Sequence, residues 1–203
     1  MQLSKNQKVQ EDQYSFPYHY ADLLAEIYRG IYYVHYLDLL RKVKKLAGTD
    51  QKKTIIDAGC GDGRLCFELS KGKSKIIGLD YSKKALAFAR AFSPSVEFRE
   101  HDLTKKIDLK GDTVILMETL EHIRLNDVEK VIENVAGMLE TGGRLIITVP
   151  SKNLKLADKH YQHFDEESLK RHLSRWFNVE KIEGYHRKGF PKFMFENYTR
   201  LTL

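Results

Sequence analysis

Cysteine is scarce. The chain of 203 residues holds only Cys60 and Cys66, and they form no C-x-x-C pair. That excludes a disulfide framework and a zinc knuckle, and makes a reducing cytoplasm the expected location. Long apolar runs are missing too. Nothing approaches the roughly 20 residues that span a bilayer, so no membrane partner is expected. Met1–Asn6 lacks the apolar core of a signal peptide. Charge of one sign is not concentrated anywhere. Net charge is +6, but the basic residues are spread along the chain. Such a balance suits an anionic partner such as RNA, or a lysine-rich solvated surface. What is present, 42% hydrophobic and 31% charged residues, fits one soluble globular domain with a substantial core.

The organising stretch is Thr54-Ile55-Ile56-Asp57-Ala58-Gly59-Cys60-Gly61-Asp62-Gly63-Arg64-Leu65. A β-branched run ending in an acid reads as a buried parallel strand. Gly59, Gly61 and Gly63 let the backbone turn sharply and let a ligand approach closely. A helix starting near Gly63 points free N–H groups into the same crevice. Lys75–Asp80 reads as the next strand and also ends in an acid. A carboxylate about 20 residues beyond a glycine turn is placed to hold a ribose diol. Alternatively, Asp80 or Ser82 caps the following helix.

Residues 1–50 read as an aromatic, helical extension. Met1–Gln13 has no apolar periodicity and is expected to be a flexible lead-in. The aromatic stretch Tyr14–Tyr20 follows, then a helical pattern over Ala21–Leu46 with a break at Gly30. This extension either packs on the main domain or lies over the site as a lid. Residues 51–203 read as the main domain. Its expected strands are Thr54–Asp57, Lys75–Asp80, Val96–Arg99, Asp112–Met117 and Arg144–Pro150. The expected helices are Leu65–Ser70, Ser82–Phe92, Val128–Leu139, stopped by Thr141-Gly142-Gly143, and Asp165–Leu173. Phe177–Gly184 and Phe190–Leu203 read as a closing hairpin. Strand–helix alternation implies right-handed βαβ units and an α/β, doubly wound, mostly parallel sheet. Asp57, Asp80, Asp102 and Glu118 all fall at expected strand ends, where such folds bind ligands.

The motifs D-A-G-C-G-D-G-R (Asp57–Arg64) and G-L-D-Y-S (Gly78–Ser82) resemble those of class I, Rossmann-like S-adenosylmethionine-dependent methyltransferases. The resemblance runs from about Lys53 to the C-terminus. It implies that Asp57, Gly59, Cys60, Gly61 and Gly63 line the methionine part of the cofactor. It implies that Asp80 holds the ribose, Tyr81 stacks near the adenine, and Asp102 and Leu103 meet the adenine edge. Met117, at the end of the fourth strand, completes the cofactor set. It also implies the antiparallel C-terminal hairpin and a lid formed by the N-terminal extension.

Glu118-x-x-Glu121-His122 is the sharpest local feature. Residues three and four apart share a face of a turn, so two carboxylates and an imidazole can meet one divalent ion such as Mg2+. The same spacing occurs in metal-assisted methyltransferases, including RNA enzymes in which a further histidine downstream completes the site. Here the candidates for that histidine are His160 and His163, with His163 taken as the ligand. In related small-molecule enzymes without a metal, His122 orients the acceptor or acts as general base, with Glu118 beside it. The expectation is an enzyme that methylates O or N of a small-molecule acceptor. The alternatives are an RNA methyltransferase and a non-catalytic cofactor-binding subunit.

Overall fold

The computed structural model describes residues 3–21 and 31–184. In chain order the helices are α1 (Lys5–Gln13), α2 (Ile31–Ala47), α3 (Arg64–Leu69), α4 (Lys83–Phe92), α5 (Val128–Gly137) and α6 (Glu166–Leu173). The strands are β1 (Thr54–Ala58), β2 (Lys75–Asp80), β3 (Glu97–Glu100), β4 (Gly111–Met117) and β5 (Leu139–Thr148). They form one sheet in the order β3-β2-β1-β4-β5. Every pairing is parallel.

Successive side chains of a strand point to opposite faces, and here both faces are apolar. Ile55, Ile76 and Ile115 lie on one face with Leu40, Val43, Leu65, Leu86 and Ala89 of α2, α3 and α4. Ile56, Ile77, Val114 and Leu116 lie on the other with Val131, Ile132, Val135, Leu169 and Leu173 of α5 and α6. Full burial of such a side chain stabilises the fold by about 1.5–3 kcal/mol. The expected doubly wound α/β architecture is therefore what the chain adopts.

The strand order also fixes where a ligand fits. From β1 the chain goes to β2 on one side and later to β4 on the other. Helices leave these neighbours toward opposite faces, which opens a crevice beyond their carboxyl ends. The glycine turn leaves β1 at that point, and the Glu118–His122 segment leaves β4 beside it.

Several expectations are revised. Lys5–Gln13 is helical rather than a flexible lead-in. Ser4 caps α1 in a capping box with Gln7, which satisfies N–H groups that a helix start leaves open. No residue of α1 is buried, so apolar periodicity had nothing to register. The helix is instead held by polar side chains. The Ser4 and Tyr161 hydroxyls are 2.5 Å apart, Asn6 donates to the His160 carbonyl, Tyr81 donates to Gln10, and Lys159 donates to Gln13.

Thr141-Gly142-Gly143 does not end a helix. The helix α5 stops at Gly137, and β5 begins at Leu139. Leu139 pairs with Gly111 and Arg144 with Thr113, so residues 140–143 bulge opposite Asp112. Gly142 takes the kink at φ +78°, a conformation that costs glycine little. Phe177–Gly184 joins no ladder among the described residues. Phe190–Leu203, the other half of the expected hairpin, lies outside the described residues, as do Gly30 and most of the first turns expected of the long N-terminal helix.

Candidate active site

The turn after β1 is built from glycine because nothing larger fits. Gly59 has φ +86°, and a Cβ there would lie 2.4 Å from the Thr119 methyl. Gly61 has φ +54°, and a Cβ there would lie 2.6 Å from the Tyr14 hydroxyl. The N–H groups of Gly59 and Cys60 both donate to the Leu79 carbonyl, at 2.7 and 2.9 Å. That ties the turn to the end of β2.

Asp80 closes the same loop from the other side. Its two oxygens accept from the N–H of Gly61 at 2.9 Å and of Ser82 at 2.8 Å. Ser82, not Asp80, caps α4, accepting from the Ala85 N–H. Of the two capping candidates the helix thus uses Ser82. Burial pushes the Asp80 carboxyl up to about 6, even though the Ser82 and Gly61 amides pull it down. Asp57 is buried, and its carboxylate accepts from the Cys66 thiol. Burial carries it from 3.8 to about 7, with Asp80 as a further raising charge. Both acids are dehydrated groups that a cationic or hydroxyl-bearing ligand would relieve.

The N-terminal segment is wedged onto this turn. The Tyr14 hydroxyl lies over Gly61. The His19 N–H and Nδ1 both meet the buried Asp62 carboxylate, Nδ1 at 2.9 Å. Tyr20 is fully buried and stacks on Phe92, with centroids 3.9 Å apart. Asp62 and Thr119 were not singled out from the sequence, although each lies inside a motif that was. The Thr119 hydroxyl donates to the Ala58 carbonyl, which locks the two crevice-lining segments together.

The expected adenine-side residues are less uniform. Tyr81 is half-buried, with its hydroxyl on Gln10. Asp102 folds back on its own loop, with Oδ1 accepting from the Thr104 N–H and hydroxyl. The Leu103 side chain belongs to the core, and its carbonyl accepts from the Asn134 amide. Met117, at the end of β4, packs against the opposite core face.

On the β4 side, Glu118 is the only non-glycine among the described residues with positive φ, at +51°. Such strain is uncommon outside functional sites. It aims the Glu118 carboxylate at the Thr148 hydroxyl, which donates to it at 2.9 Å. Leu120–His122 then forms a 3₁₀ turn. Glu121 is almost fully buried, and its Oε2 has no hydrogen-bond partner. Burial and the Glu118 charge hold the Glu121 carboxyl well above its usual range.

The ring nitrogens can be assigned by elimination, because a carbonyl only accepts. His122 Nδ1 donates to the Lys159 carbonyl, which leaves Nε2 as a lone pair 3.8 Å from Glu121. His163 Nδ1 donates to the Leu154 carbonyl. With His163 in a neutral tautomer, its Nε2 accepts from His160 Nδ1, 2.8 Å away, and His160 Nε2 keeps a lone pair. Ligand atoms of Glu121, His122 and His160 lie within 4.8 Å of one another. His163, expected as a ligand, stands behind His160, which takes its place. Burial holds His122 at about 3 and His160 at about 4, with the Lys159 charge as the next cause. Both are neutral at ordinary pH, the form that binds metals and accepts protons.

The comparisons bear on the family and the fold. The methyltransferase-domain family matches residues 49–187. A ubiquinone biosynthesis O-methyltransferase of Bordetella avium is 28% identical over 123 residues, covering 57% of this chain and 50% of the relative. A protein of the same name from Nitrosomonas europaea is 29% identical over 123 residues, covering 57% and 52%. The chain thus spans about half the length of these curated relatives. Among solved structures, the magnesium protoporphyrin IX methyltransferase of Synechocystis with bound S-adenosylmethionine superposes with a TM-score of 0.68 at 21% identity, covering 86% of each chain. An N-methyltransferase of Bradyrhizobium japonicum in complex with S-adenosylhomocysteine gives 0.66 at 14% identity, covering 85% and 86%. These two share the fold. No helix among the described residues is long and apolar enough to cross a membrane. With its glycine turn, its strand-end acids and a family match over most of its length, the chain belongs to the class I, Rossmann-like S-adenosylmethionine-dependent methyltransferases.

Proposed function

We propose that the chain transfers a methyl group to an oxygen or nitrogen of a small-molecule acceptor held between the glycine turn and the Glu118–His122 segment. One observation carries this reading: a cluster of acids and neutral imidazoles, with Glu121 buried and the others half-buried, stands next to the cofactor turn, linked to it through Thr119. The names of the curated relatives favour oxygen as the methylated atom. S-adenosylmethionine, when bound, supplies an electrophilic methyl group, so the protein contributes position, dryness and proton removal. The buried Asp57 and Asp80 suit the cofactor's cationic and hydroxyl groups. Within residues 1–50, the Tyr14–Tyr20 segment acts as the lid, with Tyr14 and Tyr18 keeping water off the turn, while α2 packs on the sheet. His122 is neutral and presents Nε2 as a proton acceptor toward the acceptor side.

The same cluster fits a divalent ion. Glu121, His122 and His160 supply the compact ligand set, with Glu118 beside them, and Glu121 Oε2 is an unpartnered acceptor that a cation would satisfy. The second nitrogen of each histidine is already engaged, as metal-binding imidazoles require. The ion would act as a Lewis acid toward an acceptor oxygen. A cytoplasmic location completes the proposal, with Cys60 and Cys66 as free thiols.

The test is labelled methyl transfer to a panel of hydroxyl- and amine-bearing small molecules, with and without Mg2+ and a chelator. Product from at least one acceptor, lost in His122→Ala while cofactor affinity is kept, is the expected result. Methyl transfer to RNA alone, with steeply salt-dependent binding, would overturn the small-molecule assignment.

A further inference from the structure

The ribose end of the cleft contains a second carboxylate that the motifs do not account for. It belongs to Glu11, in the last turn of α1. Three contacts fix where that turn sits. Gln10 accepts from the Tyr81 hydroxyl at 3.1 Å. Tyr14, whose N–H donates to the Glu11 carbonyl, closes over Gly61. Lys159 donates to Gln13 from the far side. Glu11 lies on this turn between Gln10 and Tyr14, and its charge reaches both Asp80 and Tyr81 at the end of β2.

There its Oε2 is buried and has no hydrogen-bond partner. Burying an unpartnered carboxylate oxygen on a helix that buries no whole residue is costly. Its charge is unfavourable to Asp80, whose carboxyl it raises. Asp80, meanwhile, already spends one acceptor position of each oxygen on the amides of Gly61 and Ser82. Two facing carboxylates repel unless hydroxyl donors lie between them. A vicinal diol supplies two such donors.

We propose that Glu11 is the second carboxylate of the cofactor's ribose site, accepting from one hydroxyl of the diol while Asp80 accepts from the other. This rests on the cofactor reading above and adds a residue from outside the glycine turn and β2. The N-terminal helix is then a direct part of the binding site. The ribose is also what makes its closure favourable, by separating two like charges with donors.

The test is calorimetric binding of S-adenosylhomocysteine and its 2′-deoxy and 3′-deoxy ribose analogues to the full chain, for wild type, Glu11→Gln, Glu11→Ala and Gln10→Ala. A hydrogen bond to a charged acceptor corresponds to roughly tenfold or more in affinity. The Glu11 variants are expected to bind S-adenosylhomocysteine more weakly by that factor. One deoxy analogue, penalised by wild type, should then carry almost no further penalty in them. Gln10→Ala loosens α1 without touching the diol, so it should weaken binding yet keep the full deoxy penalty. Wild-type affinity in both Glu11 variants, or penalties that simply multiply, would overturn the role of Glu11 while leaving the cofactor reading intact. Absence of binding to wild type would remove both.

Discussion

Asp57 offers the sharpest test of how the site is built, because its charge works against the fold. Its side chain is almost fully buried, and dehydration moves the carboxyl from 3.8 to about 7. A group whose folded pKa is raised contributes stability that is fully present below the unfolded value. That stability is lost as pH climbs through the folded value. The window here runs from about 4 to about 7. At 1.36 kcal/mol per tenfold change in proton affinity, the full loss is about 4 kcal/mol. That is a large share of the roughly 5–15 kcal/mol that holds an ordinary domain together. Asp57→Asn removes the titrating charge while keeping the shape and an acceptor for the Cys66 thiol. The variant should gain on wild type by about 3 kcal/mol between pH 5 and pH 8. Urea unfolding of the cofactor-free protein at the two pH values, followed by circular dichroism, measures this. Adding S-adenosylmethionine at pH 8 should stabilise wild type and do far less for the variant. Parallel stability curves for the two proteins would show that Asp57 is not the strained, cofactor-facing acid described here.

Gly61→Ala should sharply reduce cofactor affinity, since the new methyl meets the Tyr14 hydroxyl at 2.6 Å on a φ of +54°. Its unfolding free energy should fall by only about 1–3 kcal/mol, and calorimetry with denaturation separates the two effects. Gly63→Ala meets Ala89 Cβ at 2.7 Å, so it should destabilise the fold as well as weaken binding, with a lowered melting temperature. Asp62→Ala removes the partner of the His19 N–H and ring, and limited proteolysis should then cut near Tyr14–Tyr20 faster than in wild type. Glu121→Gln should abolish Mn2+ binding, followed by electron paramagnetic resonance, and leave S-adenosylhomocysteine affinity unchanged. Retained Mn2+ binding in the variant, or none in wild type, would overturn the proposed metal site.

The sheet and the cofactor turn were legible because their causes are local. Ile55-Ile56 and Ile76-Ile77 announce strands buried on both faces, and Gly59, Gly61 and Gly63 mark a turn that excludes side chains. The acids of β1 and β2 were readable as strand-end residues for the same reason. What escaped depends on partners far along the chain. The helix α1 has Val9 as its single apolar residue, and Tyr81, Lys159, His160 and Tyr161 hold it. Its Glu11 therefore carried no signal. The arrangement of His160 and His163 depends on the Leu154 carbonyl, which engages His163 Nδ1 far along the chain from the Glu118–His122 motif. The bulge opposite Asp112 was hidden because Gly-Gly after a helix also reads as a stop, and only the pairing with β4 distinguishes the two.

The central claim is that the carboxyl ends of β1 and β2 form an adenosyl cleft roofed by the N-terminal segment. A crystal structure of the chain with S-adenosylhomocysteine tests this directly. The ribose hydroxyls should lie within hydrogen-bond distance of Asp80, with the homocysteine along Gly59–Gly61 beneath Tyr14. A ligand seated anywhere else, with Asp57 and Asp80 untouched, would contradict it.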